Sequence, residues 1–217
     1  MSTGHSTTEH PSFLQHQYQT TEQQQSAAKL GMWLFLAQEI LFFGGLFMAY
    51  AAYRYFYPGT FLDAHYRLSI PMGATNTLVL LTSSLTMALG VRAAQTNNRN
   101  QLIFQLINTM LLACVFLVIK YFEYAHKFHD GLLPGKFYFA EGLSGMPHVF
   151  FGIYFVMTGL HGLHVLVGIG VIGWILMRSI KGEFSSQFYT PVENVGLYWH
   201  LVDIVWIFLF PLLYLVK

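Results

Sequence analysis

The sequence predicts an all-α membrane protein, a bundle of five transmembrane helices. Three observations carry this prediction. Of 217 residues, 54% are hydrophobic and only 10% charged, with a mean hydropathy of +0.47, whereas soluble domains carry about 25% charged residues. Five stretches, about 30–53, 70–94, 102–122, 149–177 and 194–216, reach or exceed the ~20 apolar residues that cross a hydrocarbon core. The longest of them, Val149 to Arg178, runs 29 residues without a charge and stops on an arginine.

Residues 1–28 are polar and contain no apolar stretch of the kind a signal peptide needs, so they are expected to form a mobile or partner-bound tail. Residues 29–217 then form one five-helix domain. The first span, LGMWLFLAQEILFFGGLFMAYAAY, carries Glu39 close to its midpoint. Helical projection surrounds that carboxyl with Met32, Phe35, Phe42, Phe43 and Leu46. An ionisable group inside a membrane is costly and marks function by default. The functional reading of Glu39 is proton exchange or a lipid or partner contact, and the alternative is a protonated carboxyl hydrogen-bonded across the bundle.

The second span is rich in short polar side chains: Thr75, Asn76, Thr77, Thr82, Ser83, Ser84 and Thr86. These can bond across to neighbouring helices at ~1 kcal/mol or less each. Residues 95–101 form a polar turn, while 55–69 and 123–147 read as longer interfacial loops. In the third span Cys114, the only cysteine, is expected to be a small core residue, and it rules out disulfides within the chain. At the end of that span Glu123 stands between Lys120 and Lys127 at helical spacing, an ion-pair cluster expected at the membrane surface.

The fourth span has two faces. Gly152, Gly159 and Gly170 fall on one side, a smooth seam on which a neighbouring backbone can approach. His161, His164 and Gly168 fall on the other. A helix packed on both sides is expected to be the centre of the bundle. His161 and His164 also have the spacing of helical metal ligands, with His200 in the fifth span as a third imidazole. A difference of roughly 8 Å in depth between His164 and His200 argues against a shared metal or haem, so these are read as core histidines with structural polar contacts. His200 and Asp203 share a face and can bond each other or a neighbouring helix. Arg178 and Lys181 end the fourth helix, where cations suit both the helix dipole and a lipid phosphate.

No nucleophile–base pair, phosphate loop or metal signature is present, so no catalytic residue and no metal ligand is assigned. A net charge of +1 argues against nucleic acid as a partner. Lysine and arginine counting leaves orientation open, with Lys29, Arg92, Arg99, Arg178 and Lys181 on one side against Arg54, Arg67, Lys120, Lys127, Lys136 and Lys217 on the other. A small transporter coupled through Glu39 and a haem-bearing anchor are the rival readings from other classes. The lack of an internal repeat weakens the first.

Five segments together resemble subunit III of the haem–copper terminal oxidases: KLGMWLFLAQEILFFGGLF, ATNTLVLLTSSLTMAL, KYFEYAHKFHDG, TGLHGLHVLVG and YWHLVDIVWIFLFPLLYL. The resemblance runs in order from Lys29 to Lys217. It implies a subunit with no haem or copper of its own, packed on the large catalytic subunit I that reduces oxygen and pumps protons. Subunit II and a small subunit IV are the further partners expected, with haem and copper in partner subunits, and membership of a respiratory supercomplex is left open. The resemblance implies ordered phospholipid in a cleft, with His164, Arg178 and Lys181 at positions that line it. Glu39 matches the family's carbodiimide-reactive carboxylate. The N-terminus would be cytoplasmic and the C-terminus outside, in a bacterial inner membrane. Longer members have seven helices, and this chain resembles the five-helix bacterial form that lacks the first two. Glu39 and KYFEY resemble the cytochrome c oxidase branch (aa3 or caa3 type), with quinol oxidases and nitric-oxide-reductase accessory proteins as alternatives.

Overall fold

The computed structural model describes residues 14–133 and 147–215, which form six helices: α1 Thr21–Phe56, α2 Pro58–His65, α3 Ile70–Gln95, α4 Arg99–His129, α5 Pro147–Lys181 and α6 Thr190–Tyr214. Residues 1–13 of the expected tail and 134–146 of the expected loop lie outside the described residues. All the helices but α2 are long and apolar enough to cross a membrane. The chain is a multi-pass membrane protein.

The helices outrun the apolar stretches that announce them. Thr20 caps α1 by accepting the amide of Gln23, and Glu22 follows in the first turn, where an acid suits the dipole. Residues 21–28 are therefore the opening turns of α1, and the tail boundary expected at 28 lies inside the helix. Similarly α4 continues past 122 to His129, taking Glu123 and Lys127 with it.

The segment 55–69, expected to be a loop, contains α2. Pro58 starts it with its pre-set φ and no amide to satisfy. Phe61 and Ala64 are wholly buried, and Phe61 packs edge-on to Tyr50 of α1 and Phe150 of α5. Eight residues give too few turns for a periodic signal, which is why the element is invisible in the sequence.

Four helices form the core, with α3 packed along α4 and α6, and α5 packed along the same two. The α3–α4 turn is tight: Asn97 takes a left-handed φ of 59°, and Asn98 caps α4 through the amide of Gln101. Hydroxyls then stitch α3 to its neighbours. Ser83 donates to the Thr109 carbonyl (3.3 Å), Thr86 meets the Thr109 hydroxyl (2.8 Å), and Trp206 Nε1 donates to Thr77 (3.1 Å). Thr75 and Thr82 instead bond back to the carbonyls of their own helix, those of Pro71 and Leu78.

The centre of the bundle is α6 rather than α5. Over their most apolar windows, 56% of α6 is buried against 28% of α5. Two members of the glycine seam expected on α5, Gly159 and Gly170, are exposed, and an added Cβ at either meets no atom within 4 Å. The close approach occurs on the opposite face. Trp199 of α6 lies on Gly168, and a Cβ there would stand 2.6 Å from the indole. The expectation failed because helical projection tells which residues share a face but not which face meets protein. Cys114 is likewise exposed, with Ala113 beside it taking the core position.

Two ties hold the ends. Arg99 at the start of α4 donates to the Ser179 carbonyl (Nε, 3.0 Å) and the Ile180 carbonyl at the end of α5. Gly182, at φ 78°, then turns the chain out of the helix. On the other side of the bundle the Tyr50 hydroxyl donates to the Leu212 carbonyl in the last turn of α6.

Candidate functional site: a carboxyl–imidazole pair and a buried carboxylate cluster

Glu39 and His164 meet. They lie on α1 and α5, near the middle of each helix, and Glu39 Oε2 stands 3.1 Å from His164 Nε2. Both side chains are mostly buried. The ring of His164 packs edge-on to Phe43 and close to Phe42, two of the aromatics expected around the carboxyl. Tyr198 of α6 donates its hydroxyl to the His164 carbonyl (2.9 Å) and lies against Phe35.

The protonation of this pair follows from its hydrogen bonds. His164 Nδ1 is 2.7 Å from the Leu160 carbonyl. A carbonyl only accepts, so Nδ1 carries a hydrogen. The Nε2–Oε2 contact then holds one proton, either on a neutral carboxyl donating to the ring or on an imidazolium donating to a carboxylate. Both arrangements are neutral overall. Residues of α1, α5 and α6 thus build a hydrogen-bonded carboxyl–imidazole pair near the middle of α1 and α5.

The second polar site is Glu123, which is 2% exposed. Lys120 Nζ donates to Oε2 (2.8 Å), while Oε1 accepts from Lys127 Nζ (3.0 Å), Tyr154 (3.0 Å) and Tyr214 (2.5 Å). Lys120 also donates to Tyr214 and lies 4.5 Å over the ring of Trp206. The sequence predicts the Lys–Glu–Lys grouping toward a helix end but not its burial: the cluster is enclosed by α4, α5 and α6. Tyr154 and Tyr214 carry no signal of this role in the sequence, since tyrosine is common at membrane interfaces.

The other residues singled out by the sequence separate. His161 is buried between Phe116 and Trp206, and neither ring nitrogen has a hydrogen-bond partner among the described residues, against the satisfied contact expected of it. His200 Nδ1 pairs with the Ser84 hydroxyl (2.7 Å). Asp203, also buried on α6, has its Oδ1 unpartnered among the described residues. Among the described residues no three metal-ligating side chains converge.

Arg178 bonds Glu183 (2.5 Å) and stacks its guanidinium on Trp174 and Phe184. Lys181 is exposed beside it. Both lie at the end of α5, fourteen to seventeen residues beyond His164, or about 21–26 Å along the helix. His164 and the Arg178–Lys181 pair therefore stand at different depths along α5.

Comparison with known proteins identifies the family. The family model described as "Cytochrome c oxidase subunit III" matches residues 12–217. Cytochrome c oxidase subunit 3 of Corynebacterium diphtheriae is 32% identical over 190 residues, covering 87% of each chain. A protein of Staphylococcus haemolyticus described as a probable quinol oxidase subunit 3 is 30% identical over 190 residues, covering 87% of this chain and 88% of its own. Heme-copper oxidase subunit I+III of Aeropyrum pernix is 33% identical over 192 residues, 85% of this chain, which spans only 22% of that longer relative. This chain belongs to the cytochrome c oxidase subunit III family.

Proposed function

We propose that the chain is the non-catalytic subunit III of an aa3- or caa3-type cytochrome c oxidase. It packs on catalytic subunit I, beside subunit II and a small subunit IV, in a bacterial inner membrane with its N-terminus cytoplasmic. Haem and copper reside in those partners, and this chain contributes bound phospholipid, support of proton uptake, and endurance during aerobic electron transport. The Aeropyrum relative, whose name joins subunits I and III in one polypeptide, supports contact with subunit I. The observation that carries the reading is the Glu39–His164 pair. It keeps an exchangeable proton between α1 and α5, beside the four-helix core and among exposed apolar side chains such as Leu34, Leu41, Leu163 and Val167.

The test is Glu39→Gln in the assembled oxidase. Haem content, assembly and initial turnover stay at wild-type levels, while activity decays after fewer turnovers. Loss of the oxidase haems in that variant would contradict a peripheral role. The Staphylococcus relative favours one alternative, a quinol-oxidising complex. Assaying the purified complex with reduced cytochrome c and with a quinol separates the two.

A further inference from the structure

Three unsatisfied polar functions lean toward one tier of the four-helix core. On α5, His161 is 1% exposed with both ring nitrogens unpartnered among the described residues. On α3, Asn76 is fully buried with both its amide nitrogen and oxygen unpartnered among those residues. On α4, the ammonium of Lys120 has three hydrogens and places two of them, on Glu123 and Tyr214.

These groups share a level. His161 packs on Phe116 and Trp206, and Phe116 packs on Trp206, which fixes the tier on α4, α5 and α6. Trp206 donates to Thr77, the residue after Asn76, which adds α3. Side chains on a helix lean toward its N-terminus. Asn76 therefore leans toward Gly73, whose neighbours across the bundle are Phe210 and Tyr214. His161 leans toward Tyr154, over whose ring the Lys120 ammonium lies at 5.7 Å. Both lean to the level where the Lys120 ammonium sits over Trp206.

Buried polar groups nearly always find a partner, and a buried water typically makes about three hydrogen bonds to groups left over by the protein. Asn76 offers two donors and an acceptor, His161 one of each, and Lys120 a donor. We propose that the core binds internal water at this tier, held by Asn76, His161 and Lys120 against the face of Trp206. The site takes water rather than an anion, because two of its three members offer acceptors as well as donors and Lys120 is already matched by Glu123. Its role is to solvate a lysine inside the membrane and to keep the Glu123 cluster in contact with a mobile proton.

The test is radiolytic hydroxyl-radical labelling of the purified complex containing this chain, pre-equilibrated in oxygen-18 water. Internal water makes radicals on the spot, so a buried ring beside it is labelled. Trp206 and Trp199 are both 0% exposed, but Trp199 bonds Ser83 and packs on Gly168. The expected result is several-fold more oxygen-18 on Trp206 than on Trp199. Equal labelling, at any level, overturns the proposal. In Asn76→Leu the excess on Trp206 falls toward the Trp199 level; its persistence also overturns the assignment. Should that variant fail to assemble, the wild-type comparison still decides.

Discussion

Replacing Glu123 separates two physical descriptions of the same five residues. If the Lys120–Glu123–Lys127 grouping were a solvated helix end, removing the carboxylate would cost about 0–1 kcal/mol, the value of an exposed ion pair. The structure puts the carboxylate at 2% exposure and the two lysine side chains at 10% and 4%. Removing one member of a buried charge cluster costs about 3–5 kcal/mol, because its partners are left charged and unsolvated. Glu123→Ala strands two ammonium groups and two tyrosine hydroxyls at once, so the upper half of that range is expected. Glu123→Gln keeps the shape and an acceptor for the tyrosines but loses two charge-assisted bonds, each roughly twice as strong as a neutral one, which puts it at about 2–3 kcal/mol.

The assay is unfolding of the subunit in mixed detergent micelles, followed by tryptophan fluorescence. Trp206 lies beneath the Lys120 ammonium, and so its emission reports on the cluster directly. A cycle with Lys120→Met tests the cause. Methionine packs on Trp206 without a charge, so the double variant is less destabilised than the sum of the single ones. A cost below about 1 kcal/mol for Glu123→Ala, the ceiling for an exposed pair, would refute the burial argument. So would strict additivity with Lys120→Met.

The other predictions concern packing and helix ends. Gly168→Ala forces a methyl to within 2.6–2.8 Å of the Trp199 ring and costs about 1–3 kcal/mol by overpacking. Gly170→Ala meets nothing within 4 Å and gains up to about 1 kcal/mol from helix propensity; the same micelle unfolding measures both, and the sequence alone predicts the reverse order. Arg99→Ala removes a guanidinium from the last carbonyls of α5, with a cost of about 1 kcal/mol at this half-exposed position. It shows as faster hydrogen exchange at the Gly182 and Glu183 amides, which close that helix end.

Much of this fold is legible in the sequence because lipid imposes it. Backbone groups in hydrocarbon must pair within a helix, so apolar length alone locates α1 and α3 to α6. The same constraint singles out Glu39, since a carboxyl in such a stretch needs a partner. What the sequence leaves open is rotation about the helix axis. His164 has no mark that distinguishes it from His161, yet one faces Glu39 and the other is sealed between Phe116 and Trp206. Lipid is as apolar as a protein core, so hydropathy does not separate the two faces of α5. That is why Gly168 and Gly170 exchange roles between sequence and structure, and why Cys114 reads as a core residue. Tyr154 and Tyr214 escape notice for a different reason: their contacts to Glu123 join residues 31 and 91 apart in the chain, beyond the reach of any local pattern.

The single proton between Glu39 and His164 makes a prediction about order rather than size. The side-chain amide introduced by Glu39→Gln still donates to Nε2, because Leu160 keeps the hydrogen on Nδ1. The pair stays neutral and bonded, so stability changes by less than about 1 kcal/mol. In His164→Phe the carboxyl keeps its place beside Phe42 and Phe43 without a partner, which costs about 1–3 kcal/mol or more. Adding Glu39→Leu to His164→Phe removes the stranded group and recovers most of that loss. The expected order of unfolding free energy is wild type near Glu39→Gln, then the double variant, then His164→Phe. Because Glu39→Gln spares the fold while deleting the exchangeable proton, a shortened working life of the oxidase in that variant reports proton chemistry and not a loosened α1. If His164→Phe proves no less stable than the double variant, the carboxyl is satisfied elsewhere and the shared proton is not what joins α1 to α5.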